Sequence, residues 1–233
     1  GGVNVYIKNL IPGLLKNGYN VTFLNSGVKY TRDRKVRIER LTDYFGGCRR
    51  YEIVNSPVVA PAHSMFNHLE EVITNPLLKS LFFDFCKKNE FDIIHFNNIE
   101  GLSLDVLSLK NDLKAKIIYS IHNYHVVCPQ VNLWKNESEN CIKCNNFKDC
   151  INCVFPNNIN NEVEKRICSS QSMIIRGIRS FYRNKIKKNI FKKCNKYNNS
   201  YEKLSLTPDI YKNYINESIN KINENVDLII SVS

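Results

Sequence analysis

The chain has 233 residues, 43% of them hydrophobic, enough to bury one core of ordinary domain size, and its 33 Lys or Arg against 22 Asp or Glu leave a formal net charge of +11. No apolar run approaches the roughly 18–20 uncharged residues of a membrane span, and the opening Gly1-Gly2-Val3 has neither an initiator Met nor a basic-then-apolar leader pattern. Nine cysteines, an odd number, argue against a closed disulfide framework and for a reducing compartment.

Taken in chain order, Val5, Ile7, Leu10, Ile11, Leu14 and Leu15 recur at helical spacing, and Asn17-Gly18 supplies the turn or C-cap that ends the pattern. Val21–Leu24 reads as a short apolar strand. Residues 26–50 are polar, basic and punctuated by glycine, which predicts a loop, and Arg50–Val54 reads as a further strand. Leu69–Lys88 predicts a helix, Phe91–Phe96 a buried strand, Ser103–Leu113 a second helix and Lys116–Ile121 the next strand. Alternation of this kind requires parallel strands joined by crossover helices, so the expected fold class is α/β, a doubly wound parallel sheet. Beyond Ile121 a Cys- and Asn-rich stretch, 124–162, interrupts the alternation as an insertion; helical patterns return over 163–197 and 208–223, and Val226–Ser233 reads as a last strand. A helical pattern that starts at once without Met, and a final strand with nothing after it, make both ends look like cuts in a longer protein.

In sheets of this class ligands bind beyond the carboxyl ends of the strands. Three places qualify. Gly1-Gly2 opens the first helix, where backbone N–H groups and the positive end of the helix dipole suit a diphosphate, although two glycines also make a plain tight turn. His122 follows a strand among polar residues, placed either to exchange a hydrogen bond with a sugar hydroxyl or to serve the fold. Asn97 and Asn98 follow another strand and fit either an acceptor hydroxyl or a helix cap, whereas His95, inside the apolar run, reads as a core histidine.

Cys128, Cys141, Cys144, Cys150 and Cys153 fall within 26 residues. Cys141-x-x-Cys144 and Cys150-x-x-Cys153 have the pair spacing of a structural zinc site, with buried or unpaired thiols and an iron–sulfur cluster as the alternatives, and Cys128 reads as packing. The charge is concentrated too: Gln171–Tyr197 holds nine Lys or Arg and no acid, with Ile174, Ile175, Ile178, Tyr182, Ile186 and Ile190 as an apolar stripe. That pattern fits a helix lying on an anionic membrane surface and equally a core-facing stripe with a solvated basic face.

The segments GGVNVYIKNLIPGLLKNGYNVTFL, FDIIHFNNIEGL, AKIIYSIHNYHVVCPQVNLW and VDLIISVS, in this order, resemble the amino-terminal domain of the family 4 retaining glycosyltransferases of GT-B fold. The resemblance implies a Rossmann-like domain over 1–233, lacking its first strand, and a separate carboxy-terminal domain that binds most of a nucleotide-sugar donor. It implies that this half holds a glycan or lipid-linked acceptor, is inactive alone, and works in the cytoplasm or peripherally at the inner face of the membrane, in cell-envelope polysaccharide or glycolipid synthesis. By the same resemblance Gly1 and Gly2 match the loop facing the donor diphosphate and His122 the histidine at the reaction centre. The family commonly has an acidic residue directly after that histidine, where this chain has Asn123; Asn97, Asn98 and Asn123 become the candidate acceptor contacts. Two readings from other classes stand beside it, a zinc-dependent nucleic-acid-binding module and a noncatalytic sugar-binding or scaffold domain. The strand–helix alternation has no role in the first, so no nucleic-acid partner is expected.

Overall fold

The computed structural model describes residues 2–66, 68–128, 130–135, 138–141, 147–153, 162–167 and 207–232. The first helix, α1 (Gly2–Lys16), runs to the expected stop, where Gly18 takes a left-handed φ of 82° and Tyr19 N–H bonds back to Leu14 O at 3.1 Å. Strand β1 (Thr22–Asn25) follows, then β2 (Arg37–Tyr44) and β3 (Cys48–Val54). β1 lies parallel to β3, pairing Phe23 with Arg50, and β2 lies antiparallel on the other side of β3, pairing Ile38 with Ile53.

β2 corrects the expected loop over 26–50. Its residues, Arg37-Ile38-Glu39-Arg40-Leu41-Thr42-Asp43-Tyr44, are those of a charged edge strand with no clean two-residue alternation. Ion pairs tie it down instead, Lys29 and Arg37 each reaching Glu39 at 2.6 Å and Arg37 reaching Asp33 at 3.1 Å.

The expected single helix over Leu69–Lys88 is two, α2 (Leu69–Ile73) and α3 (Pro76–Asn89). Pro76 occupies the first turn of α3, and Asn75 caps it by accepting from Leu78 N–H at 3.1 Å. β4 (Ile93–Phe96) follows, then a 3₁₀ stretch, Leu104–Leu109, that passes into the short α4 (Lys110–Leu113) where one α-helix was expected. β5 (Lys116–Ile121) has the expected bounds. Two antiparallel strands of two residues each, β6 (Trp134–Lys135) and β7 (Glu139–Asn140), and α5 (Lys148–Asn152) lie within the Cys-rich stretch. A helical stretch at 162–167, α6 (Pro208–Asn225) and β8 (Leu228–Ser231) complete the described chain.

The second sheet is wholly parallel in the order β4-β5-β8, so six of the described strands form two three-stranded sheets, one parallel and one mixed, with helices packed against them, while β6 and β7 pair apart. This is the α/β, Rossmann-like architecture that the alternation requires. Phe96, Ile117 and Tyr119 fill one side of the parallel sheet and meet Leu78 and Phe82 of α3, Leu104 and Leu107 of the 3₁₀ stretch, and Tyr211, Tyr214 and Ile222 of α6 in one buried core. α1 belongs to that core hardly at all. Ile11 is its one buried residue, and Val5 is 61% exposed.

Candidate functional site

The carboxyl ends of β1, β3, β4 and β5 bring four connecting segments together, and two glycines set how closely. Gly27 and Gly101 have φ of 74° and 84°, and a Cβ on Gly101 would lie 2.6 Å from the Ser26 carbonyl oxygen. Ser56 Oγ donates to Gly101 O at 2.9 Å and Ser26 Oγ donates to the same oxygen. Gly27 O in turn accepts from Ala60 N–H at 2.9 Å and from Arg166 of the 162–167 stretch at 2.6 Å. Backbone meets backbone here, so the loop after β4 is pressed on the loop after β1.

Glu100 joins the remaining segments. Its carboxylate accepts from Ala62 N–H at 2.7 Å, from Asn98 Nδ2 at 3.2 Å and from Asn123 Nδ2. Asn98 Oδ1 accepts from Glu100 N–H at 3.0 Å, and Asn123 Oδ1 from His125 N–H at 3.1 Å. Behind this corner His125 is buried, 2% exposed, with its ring nitrogen Nδ1 3.3 Å from the Tyr214 hydroxyl, which donates to His125 O. Burial pushes the His125 imidazole down to about 4, so it is neutral at physiological pH.

His122 stands at the end of β5 and packs edge-to-face on Tyr6 of α1, ring centroids 4.8 Å apart. Burial holds its imidazole below the ordinary histidine range, so at neutral pH one ring nitrogen donates and the other accepts. Among the described residues Nε2 of His122 and Oδ1 of Asn97 are buried polar atoms without a hydrogen-bond partner. Buried polar groups are seldom left so in folded proteins; Thr22 Oγ1, Arg50 Nε, Ser103 Oγ, Asp105 Oδ1, His125 Nε2 and the Tyr211 hydroxyl are left so too, but of these only His125 Nε2 belongs to the same strand-end corner. His95 is different: its Nε2 lies 2.7 Å from Ser120 Oγ, which satisfies it as a core histidine.

The predicted site residues are therefore brought together unequally. Asn98 and Asn123 share Glu100, which occupies part of each carboxamide, while Asn97 keeps an unused oxygen. Gly2 is the first residue of α1 and Tyr6 lies one turn further, about 6 Å along the axis; through Tyr6 the start of α1 is joined to His122. Gly1 lies outside the described residues. Tyr6, Glu100, His125 and Tyr214 escaped the sequence reading. Tyr6 at four residues from Gly2 was the one signal within local reach, since i and i+4 share a helix face.

The described cysteines are not gathered into a metal centre. Cys141 N–H bonds to Leu133 O at 2.7 Å, Cys150 and Cys153 pack against the core near Tyr211, and Cys144 lies outside the described residues. Among the described residues no group of three or more His, Cys, Asp or Glu is placed to hold a metal ion, so the expected zinc has no support beyond the pair spacing. The basic segment 171–197 lies outside the described residues, and no described helix is long and apolar enough to cross a membrane.

Residues 1–138 match the family model described as Glycosyltransferase Family 4, and that span contains every strand-end residue named above. The chain belongs to glycosyltransferase family 4. This family 4 chain is 25% identical over 161 residues to a Klebsiella pneumoniae protein described as an uncharacterized 42.6 kDa protein in the cps region. The likeness covers 61% of this chain and 38% of that relative, so the family 4 chain spans well under half of the relative's length. No solved structure matches it. The family match ends before Cys141, so the cysteine pairs and the basic segment stand outside the part of the chain that the glycosyltransferase family accounts for.

Proposed function

We propose that this chain is the acceptor-side half of a retaining glycosyltransferase that moves a sugar from a nucleotide-sugar donor to a glycan or lipid-linked acceptor. The observation that carries the reading is the pair of orphaned buried atoms, His122 Nε2 and Asn97 Oδ1, at the carboxyl ends of adjacent parallel strands. A neutral imidazole in that position accepts from or donates to an acceptor hydroxyl without a charge of its own to desolvate. Beside it the first turn of α1 points unpaired N–H groups and the positive end of the helix dipole outward, which suits the charge that develops on a departing diphosphate. Retention follows when the acceptor hydroxyl attacks from the face that the diphosphate leaves, and most donor contacts then come from a second domain, so this half is inactive alone.

The relative's cps-region placement supports a role in polysaccharide synthesis. A cytoplasmic setting, with Gln171–Tyr197 resting on an anionic inner membrane face, agrees with nine basic residues set around an apolar stripe. A structural zinc on Cys141, Cys144, Cys150 and Cys153 rests on their spacing alone.

His122→Ala in the full-length enzyme tests the reading. Release of nucleoside diphosphate from the donor is expected to fall by at least about 100-fold, the low end for loss of a positioned acid–base group, with the far-ultraviolet circular dichroism unchanged. Undiminished turnover removes His122 from the reaction centre.

A further inference from the structure

His122 has no hydrogen bond that fixes its ring at Nε2, and its strand ends one residue earlier. What orients the imidazole is therefore the backbone corner 122–125 on one side and the Tyr6 ring on the other. The corner is held from behind by the Tyr214 hydroxyl on His125 O and by Tyr124 N–H on Val131 O at 3.1 Å, and at its front by Asn123, whose carboxamide is used at both ends, Oδ1 by His125 N–H at 3.1 Å and Nδ2 by the Glu100 carboxylate. Glu100 is itself anchored from two more segments, by Ala62 N–H at 2.7 Å and Asn98 Nδ2 at 3.2 Å, and its own N–H is fixed by Asn98 Oδ1. One carboxylate thus receives donors from the segments after β3, β4 and β5, and hydrogen bonds to an ionised acceptor are roughly twice as strong as neutral ones.

We propose that Glu100 is a positioning residue for His122: acting through Asn123, it fixes the corner from which the imidazole faces the acceptor. It also supplies from the neighbouring strand end the negative charge that residue 123, an asparagine here, does not carry. The carboxylate lies beyond the end of the neighbouring strand, and the Asn123 amide bridges it to the corner. The assignment rests on the reading of His122 given above for its functional meaning, but its physical content, a mechanical link from Glu100 to the His122 ring, can be tested without turnover.

The test is a histidine- and tyrosine-labelled NMR comparison of the 233-residue chain, which has five histidines. In the wild type, cross-peaks between the His122 and Tyr6 rings are expected, with one set of His122 ring signals. Asn123→Ala, which leaves Glu100 its Ala62 and Asn98 donors, is expected to remove the cross-peaks or split the His122 signals, as is Glu100→Gln. Combining Glu100→Gln with Asn123→Asp restores the 100–123 amide–carboxylate bond in reversed order, with only the Asn98 Nδ2 donor losing its acceptor, and is expected to recover the His122–Tyr6 cross-peaks and the single set of His122 signals. His122 signals that stay at their wild-type positions in Asn123→Ala, with the other histidines showing an intact fold, overturn the proposal, as does a folded reversed pair that fails to recover them. Asn123→Ala and the reversed pair keep the test decisive where Glu100→Gln alone fails to fold. A positive NMR result together with an active His122→Ala enzyme would keep the link and discard the catalytic reading; an inactive His122→Ala enzyme with unmoved NMR signals would do the reverse.

Discussion

The two three-stranded sheets are built by opposite means. β4-β5-β8 is parallel throughout, and its inner side is filled by Phe96, Ile117 and Tyr119 under two helices and a 3₁₀ stretch. β1-β3-β2 is mixed and ends in a charged edge strand secured by ion pairs at the surface. Surface ion pairs stabilise little, whereas apolar burial dominates folding. The side chains with chemistry to offer, His122, Asn97 and Glu100, all follow the parallel sheet; the mixed sheet contributes backbone and small residues, Ser26, Gly27, Ser56 and Ala62, that hold those loops in place. The lesson is a division of labour: one sheet carries the site and the other buttresses it.

The contact between the two halves is the place to break that division. Gly101→Ala sets a methyl 2.6 Å from the Ser26 carbonyl oxygen at a left-handed φ, and a loss of more than about 2 kcal/mol is expected. Urea unfolding measures it, and a midpoint equal to wild type would mean that the loops do not abut. Tyr214→Phe acts within the parallel half alone. It removes the hydroxyl that donates to the His125 carbonyl, and a cost of about 1–2 kcal/mol is expected from the same measurement; no cost would show that His125 finds another donor.

The smallest effect is one of pH. The Asp227 carboxylate takes a hydrogen bond from Lys110 at 2.9 Å and one from Ile117 N–H at 2.8 Å, which hold its pKa down to about 2. A folded-state pKa below the unfolded one means that this stabilisation is present above pH 4 and is lost as the pH falls from about 4 towards about 2. Asp227→Asn should therefore flatten the acid limb of the stability profile, as read from urea midpoints across that range. It should not abolish the limb, since the Thr31 hydroxyl and the Lys29 ammonium keep Asp33 and Glu39 low in the mixed half. An unchanged acid limb would show that Asp227 does not tie β8 to β5.

How much of this was legible in the sequence follows the same division. β5 and the end of α1 could be placed from local chemistry, the apolar Ile117-Ile118-Tyr119 in one case and an Asn-Gly stop in the other. β2 could not, because pairing along β3, with Ile38 against the core, makes a strand of residues whose charges hide the pattern. The break at Asn75-Pro76 was written in the sequence as a cap followed by a first-turn proline, but the apolar pattern runs across it and hides the boundary. His122, Asn97 and Asn98 were reachable because strand ends are where ligands bind in such sheets. Glu100 was not: its decisive partner, Asn123, lies 23 residues away and meets it only after β4 and β5 have paired.

The Tyr6–His122 stack carries one more consequence. α1 has a single buried side chain, Ile11, and meets the imidazole through an aromatic edge. A displacement of the first turn that carried Tyr6 with it would take away the aromatic edge on which the His122 ring packs.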